Sequence, residues 1–140
     1  EVANYFNAEM VICDKHRKRA NEIASMVVIG DVTGKDIVII DDICDTGGTL
    51  VKAAALLKEK GAKTVRAMIT HPVLSGKAYE NIENSVLEEL VVCDTIPLMQ
   101  PSKKIQVLTV ADLFAIAIRN AYENKSITSL FVHSQLKARS

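Results

Sequence analysis

The sequence predicts an α/β domain built on a mostly parallel sheet flanked by helices. Short apolar runs rich in Val, Ile and Leu alternate with segments whose apolar residues have helical spacing. The chain is 49% hydrophobic but only 4% aromatic, so its core has to be aliphatic. Strands separated by amphipathic helices form parallel sheets covered on both faces. We therefore expect one domain over residues 1–140, without internal repeats or linkers.

The first part of the chain predicts the end of a helix at residues 1–6 and then three strands. Apolar runs at residues 10–13, 25–29 and 37–40 are the strand candidates. Residues 30–36 carry two glycines and two aspartates at turn-like positions. We therefore expect a hairpin to join the second and third strands.

The second part of the chain continues the alternation of strands and helices. Residues 50–60 predict a helix, because Leu50, Ala53, Ala54 and Leu57 fall on one face and Gly61 follows as a stop. Residues 65–69, 90–93 and 105–110 predict strands, and residues 77–84 and 111–124 predict helices.

Residues 41–49, Asp-Asp-Ile-Cys-Asp-Thr-Gly-Gly-Thr, join a buried strand to a helix. Ligands of parallel sheets bind at the carboxyl ends of strands, so a site is expected here. Gly47 and Gly48 let backbone amides approach an anion, and the helix adds the positive end of its dipole. Thr46 and Thr49 add hydroxyl donors. The loop therefore predicts a pocket for a phosphate monoester, and it is not a P-loop, since no Gly-Lys-Ser/Thr follows.

Within residues 41–49, Asp41 and Asp42 stand before the phosphate loop itself, which is residues 45–49. Carboxylates accept hydrogen bonds from vicinal hydroxyls, so a phosphorylated sugar would satisfy both halves of the motif. The same two acids can hold Mg²⁺, usually through water. The alternative is purely structural: an Asp-rich turn that caps the helix, with Thr49 as the N-cap.

Residues 14–19, Asp-Lys-His-Arg-Lys-Arg, form the one dense charge run of the sequence. By composition alone the run is typical of a solvated loop or a small basic patch. Its position between two strands, shortly before the phosphate loop, favours a loop that folds over a bound polyphosphate.

Residues 38–50 resemble the phosphoribosyl-binding signature of type I phosphoribosyltransferase-fold proteins. Residues 14–17, 70–76 and 91–98 resemble segments of the ribose-phosphate pyrophosphokinases, and the likeness extends over residues 10–131. The resemblance implies a type I phosphoribosyltransferase-like fold with a hairpin that carries a flexible loop.

The same resemblance implies Mg²⁺-dependent transfer of the β,γ-diphosphoryl group of ATP to the anomeric hydroxyl of ribose 5-phosphate. Lys15 and Arg17 then match the catalytic flap, while Asp41 and Asp42 match the residues that hold the ribose hydroxyls. The five that match the 5-phosphate loop are Asp45, Thr46, Gly47, Gly48 and Thr49. His16 and Lys18 depart from the arginine and proline of many relatives.

Further expectations concern the whole protein. By composition residues 126–131 are typical of a strand; by resemblance Ser126, Ser129 and Phe131 contribute to an inter-subunit effector site for phosphate and ADP. A homo-oligomer, a hexamer in the family, is implied. The resemblance also places a pyrophosphate loop and an ATP-binding domain before residue 1. We therefore expect the 140 residues alone to make no measurable product.

Composition excludes several other classes. Lys+Arg and Asp+Glu are equal at 17 each, which argues against nucleic-acid binding. No uncharged run approaches the roughly 20 residues of a membrane helix, so no membrane partner is expected. Cys13, Cys44 and Cys93 form neither a disulfide framework nor a zinc motif, which favours the cytoplasm.

Two rival functions share the phosphate loop. A salvage phosphoribosyltransferase would consume the product and need a nucleobase pocket, against which residues 14–17 and 70–76 argue. A non-catalytic regulator would only sense a phosphoribosyl ligand, and the retained Lys15 and Arg17 argue against it. Two further side chains have to be assigned. His71 is either a general base or a residue that packs within its loop, and Cys44 is interpreted as a small filler.

Overall fold

The computed structural model describes residues 2–16 and 25–131. The chain divides into two compact units, Val11–Leu108 and the combination of Glu1–Met10 with Thr109–Ser140. The single domain expected from the sequence stays a prediction. No helix in the described ranges is long and apolar enough to cross a membrane.

The larger unit contains the strands β1 (Ile12–His16), β2 (Ser25–Ile29), β3 (Asp36–Cys44), β4 (Thr64–Pro72), β5 (Glu89–Cys93) and β6 (Ile105–Leu108). The helices are α1 (Val2–Tyr5) in the smaller unit, α2 (Gly48–Glu59) and α3 (Ala78–Glu83) in the larger unit, and α4 (Ala111–Tyr122) in the smaller unit. The α/β class is confirmed.

Four strands form a parallel sheet in the order β3-β4-β5-β6. Its core row runs through Ile39, Ala67, Leu90 and Ile105, which face one another across the strands. Helices α2 and α3 pack on this face, and Leu57 and Ile82 join the same aliphatic core. The helical face predicted for residues 50–60 is therefore confirmed, because its four apolar residues are all buried.

The hairpin predicted through residues 30–36 is wrong. Strand β1 pairs with β2 in antiparallel fashion, and the first three residues of the basic run, 14–16, belong to β1. Residues 30–36 instead contact the turn between α2 and β4, where the Gly34 amide donates to the Gly61 carbonyl at 2.8 Å and the Lys63 amide donates to the Lys35 carbonyl at 2.8 Å. Val32 lies in the middle of this turn and is only 2% exposed. Burying it fixes the turn against the core and leaves β3 to pair with β4.

Other boundaries differ by a few residues. Strand β3 continues to Cys44 and β4 to Pro72, so the acids expected after the strand lie within it. The strand that composition favoured at residues 126–131 is wrong, since Thr128–Leu130 form a 3-10 helix. The Ser126 hydroxyl explains the difference, because it accepts from the Thr128 amide at 3.1 Å and closes a local turn.

Candidate functional site

The phosphate loop lies between the end of β3 and the start of α2. Gly47 is the N-cap residue, with φ 72° and ψ −9°, and as a glycine it has no side chain to cap the helix. The first hydrogen bond of α2 runs from the Val51 amide to the Gly47 carbonyl at 3.0 Å, so earlier amides have no acceptor within the helix. The alternative with Thr49 as the N-cap is therefore wrong, and the helix start is built as an anion site would be.

A cavity of about 220 Å³ opens at this helix start. Clefts for drug-sized ligands measure about 300–1,000 Å³, so this one suits a smaller molecule. Every residue predicted to bind the sugar phosphate lines it except Asp42. The full lining is Asp41, Ile43, Cys44, Asp45, Thr46, Gly47, Gly48, Thr49, Leu50 and Ile69.

The two adjacent acids differ in position. Asp41 lines the cavity and pairs in register with Ile69, which lines it too. Asp42 is the next residue of the same strand, and successive side chains of a strand leave opposite faces of the sheet. The Asp42 amide donates to Asp41 Oδ1 at 3.0 Å, which fixes the direction of the Asp41 carboxylate. Sequence alone treated the pair as equivalent.

Gly47 holds a left-handed backbone that other residues adopt only at a cost. Replacing it with alanine is expected to lower the free energy of unfolding by about 1–2 kcal/mol. Steric clash would not cause this loss, because a Cβ atom at Gly47 would lie 3.6 Å from the Ala78 carbonyl oxygen and from Ile82 Cγ1, which is an ordinary contact distance. Urea unfolding measures the change.

Gly48→Ala is the matched control. A Cβ atom at Gly48 would meet only Thr46 Oγ1 at 3.7 Å, and Gly48 is already the first residue of α2. We expect no loss of stability from this variant, since alanine is the better helix former. Equal losses in the two variants would contradict the assignment of the cost to backbone strain.

Two neighbouring elements fasten the phosphate loop. Beyond the end of the sheet, the Leu74 amide donates to the Cys44 carbonyl and the Ser75 amide to the Asp45 carbonyl, both at 3.1 Å. The Ser75 hydroxyl also donates to the Asp45 carboxylate in a short hydrogen bond. From α3, Asn81 Nδ2 donates to the Thr46 carbonyl at 2.9 Å. Sequence reasoning missed both side chains, although Ser75 lies in a segment whose resemblance had been noted.

His71 belongs to a small network at the ends of β4 and β5. Its Nδ1 atom lies 3.0 Å from Thr95 Oγ1, and the Thr95 hydroxyl donates to the Thr70 carbonyl at 2.8 Å. Because the Thr95 hydroxyl donates its hydrogen to the Thr70 carbonyl, it acts as the acceptor toward His71, and Nδ1 of His71 is the donor. The contact fits a histidine that fastens its own strand ends, and a role as general base stays untested.

Cys44 is buried in the wall of the cavity, with 4% of its surface exposed. Burial raises the pKa of its thiol, although an amide hydrogen bond from Gly47 opposes the shift. A thiol with a raised pKa is protonated at neutral pH and is a poor nucleophile. This agrees with the interpretation of Cys44 as a small filler.

The basic run is described only at its beginning. Lys15 lies in β1, where its backbone pairs with Met26 of β2. Arg17 lies outside the described residues. The roles predicted for Lys15 and Arg17 stay predictions.

The residues predicted for an effector site belong to the smaller unit. Ser126 Oγ lies 2.9 Å from Thr128 Oγ1, Ser129 belongs to the 3-10 helix, and Phe131 is 57% exposed. Their role as an effector site stays a prediction.

A metal site made of protein alone is not present in the part of the chain that the structure describes, where no three His, Cys, Asp or Glu side chains cluster. Of the two acids predicted as magnesium ligands, Asp41 lines the cavity and Asp42 is its neighbour in β3. Mg²⁺ is commonly held by one or two carboxylates together with water and substrate phosphates. The donor set therefore fits a magnesium ion that enters with a phosphorylated substrate.

Comparison with known proteins gives one consistent family. Residues 7–132 match the family model described as phosphoribosyl synthetase-associated domain. The chain is 55% identical to a ribose-phosphate pyrophosphokinase of Campylobacter jejuni, over 94% of this chain and 42% of that protein. It is 54% identical to the ribose-phosphate pyrophosphokinase of Wolinella succinogenes, over 93% of this chain and 42% of that protein.

A solved structure agrees with these sequence matches. The crystal structure of phosphoribosylpyrophosphate synthetase from Mycobacterium smegmatis superimposes with a TM-score of 0.71 at 38% identity. The match covers 79% of this chain and 36% of that one. The chain thus spans about 42% of the length of the curated relatives it matches.

Proposed function

The chain belongs to the ribose-phosphate pyrophosphokinase family, and from this we propose that the protein transfers the β,γ-diphosphoryl group of ATP to the C1 hydroxyl of ribose 5-phosphate. The products are 5-phospho-α-D-ribose 1-diphosphate and AMP. The observation that supports the proposal most is the small cavity at the start of α2, whose lining combines the phosphate-loop residues 45–49 with Asp41.

The cavity suits the ribose 5-phosphate half of the reaction. Backbone amides near Gly47 and Gly48, the hydroxyls of Thr46 and Thr49, and the helix dipole attract the 5-phosphate. Asp41 also lines the cavity and accepts the ribose hydroxyls, with Asp42 as the second predicted acceptor. The cavity, at about 220 Å³, is small for a sugar phosphate together with a nucleotide, and we expect ATP to bind outside it.

The hairpin β1–β2 supplies positive charge to the reaction. In phosphoryl transfer the protein positions the reactants and neutralises charge rather than forming bonds itself. Lys15 and Arg17 stabilise the charge of the diphosphoryl group while the C1 oxygen attacks the β-phosphorus and AMP leaves. A magnesium ion, if bound, would supply Lewis-acid neutralisation of the phosphate charge. Asp41 and Asp42 are the residues of this chain that would contact it, directly or through water.

The wider proposals follow the family. The protein is a cytoplasmic homo-oligomer, a hexamer by family resemblance, without nucleic-acid or membrane partners. Phosphate and ADP act as effectors at a site to which Ser126, Ser129 and Phe131 contribute.

A product assay on the full protein tests the activity. ATP labelled at the β-phosphate is expected to give labelled 5-phospho-α-D-ribose 1-diphosphate, and ATP labelled at the α-phosphate is expected to give labelled AMP. Both products should require Mg²⁺ and ribose 5-phosphate. A salvage phosphoribosyltransferase would instead consume the diphosphate with a nucleobase and leave ATP intact, and a sensing protein would do neither.

A further inference from the structure

Ser75 and Asn81 hydrogen-bond to the phosphate loop, and the proposed reaction assigns no role to either residue. We infer that both are positioning residues for the 5-phosphate. The inference rests on the proposed function, because it concerns the same cavity. Neither side chain belongs to the cavity lining. Each acts through a phosphate-loop residue that lines the cavity: Ser75 through Asp45, and Asn81 through Thr46.

Ser75 controls the first residue of the phosphate loop through two donors. Its amide donates to the Asp45 carbonyl at 3.1 Å, and its hydroxyl donates to the Asp45 carboxylate. The bend that brings Ser75 there passes through Leu74, which has φ 46° and is only 4% exposed. A strained backbone held by a buried side chain indicates that the surrounding core fixes the bend.

Asn81 controls the second residue from a different element. Its Nδ2 atom donates to the Thr46 carbonyl at 2.9 Å. Helix α3 is close enough to do this because Gly47 packs against it. A Cβ atom built on Gly47 would lie 3.6 Å from the Ala78 carbonyl oxygen and from Ile82 Cγ1. Both Ala78 and Ile82 are fully buried, so α3 is a firm support for the phosphate loop.

These contacts share one electrostatic effect. The Asp45 carbonyl, the Asp45 carboxylate and the Thr46 carbonyl are hydrogen-bond acceptors, and any of them turned toward the cavity would repel a phosphate dianion. Ser75 and Asn81 bind all three. A trans peptide unit carries its N–H opposite its C=O, so holding a carbonyl outward also directs the following amide the other way. Of the two amides concerned, that of Thr46 is expected to face the anion, whereas that of Gly47 already contacts the Cys44 thiol.

Calorimetry of the full protein with ribose 5-phosphate tests the inference. Ser75→Ala and Asn81→Leu are each expected to raise Kd for ribose 5-phosphate roughly five- to tenfold, the range that the loss of one hydrogen bond produces. Asn81→Leu is nearly isosteric and uncharged, so it removes the donor without adding a charge that would itself repel the phosphate. The KM for ATP should stay within about twofold of the wild-type value, because ATP binds outside the cavity.

Two further variants separate positioning from general damage. Ser75→Thr keeps the hydroxyl and is expected to retain the wild-type Kd. Ser102→Ala removes a bond of the same kind, from the Ser102 hydroxyl to the Glu83 carboxylate at 2.5 Å, away from the phosphate loop. It is expected to leave Kd for ribose 5-phosphate unchanged.

Wild-type affinity in both Ser75→Ala and Asn81→Leu would overturn the inference. So would an equal weakening of ribose 5-phosphate and ATP binding together with a lower unfolding midpoint, because general destabilisation would explain that result. The calorimetric readout is independent of turnover. If the full protein binds ribose 5-phosphate but releases no AMP from ATP, the proposed activity is wrong while the positioning of the phosphate is still measured. If it binds no ribose 5-phosphate, both are wrong.

Discussion

Replacing Lys15 with alanine in the full protein is expected to lower kcat by about 10²–10³-fold, the range found when a preorganised electrostatic group is removed. The Kd for ribose 5-phosphate should change by less than about twofold, because the ribose site is built on a different strand–helix junction. Lys15 lies in β1, within the hairpin, whereas the cavity lies between β3 and α2. Steady-state kinetics and calorimetry on the same preparation separate the two quantities.

Lys63→Ala is the matched control for the loss of a positive charge. Lys63 lies beside the amino end of β4, next to Asp36 at 4.0 Å, and its side chain is 68% exposed. We expect kcat to remain at the wild-type value. If Lys15→Ala raised Kd for ribose 5-phosphate as strongly as it lowered kcat, Lys15 would belong to the sugar site and the division of roles would be wrong.

The second large effect concerns the two acids, which the structure does not treat alike. Asp41→Asn is expected to raise Kd for ribose 5-phosphate roughly 10- to 100-fold, because hydrogen bonds to a charged partner contribute about 1.5–3 kcal/mol. Asp42→Asn is expected to raise it by less than about fivefold, in the range of a single neutral hydrogen bond. The reason is position, since Asp41 lines the cavity and Asp42 leaves the opposite face of β3.

A substrate lacking one hydroxyl makes this comparison sharper. The wild-type protein should prefer ribose 5-phosphate to 2-deoxyribose 5-phosphate, and Asp41→Asn should reduce that preference. Asp36→Asn, at the other end of β3, serves as the control and should keep it. An equal loss of preference in Asp41→Asn and Asp42→Asn would show that both acids contact the sugar, as the sequence alone suggested.

The phosphate loop could be predicted from the sequence because its signals are local. An aliphatic strand, two acids, a pair of glycines and a helix follow one another within residues 38–60, and each has a conformational meaning of its own. The helix predicted for residues 50–60 runs from Gly48 to Glu59, two residues earlier at its start, and Gly61 follows it with φ 93°. The differing positions of Asp41 and Asp42 were also implicit in strand alternation, once the strand was known to extend beyond them.

The sequence could not predict in the same way which strands pair and which side chains contact the phosphate loop. The glycines and aspartates of residues 30–36 are typical of a hairpin, yet burial of Val32 in the common core decided which strands pair. Ser75 and Asn81 reach residues 30 and 35 positions away, and no periodicity in one chain reports such contacts. The polar residues that support the site were therefore visible only in three dimensions.

A crystal structure of the full protein with ribose 5-phosphate would locate the phosphate and the sugar. We expect the 5-phosphate at the start of α2, within hydrogen-bonding distance of the amides near Gly47 and Gly48, with a ribose hydroxyl on the Asp41 carboxylate. We also expect Ser75 and Asn81 to keep their contacts with Asp45 and Thr46. Ribose 5-phosphate bound elsewhere, or bound here with its phosphate turned away from α2, would rule out the phosphate site proposed at this helix start.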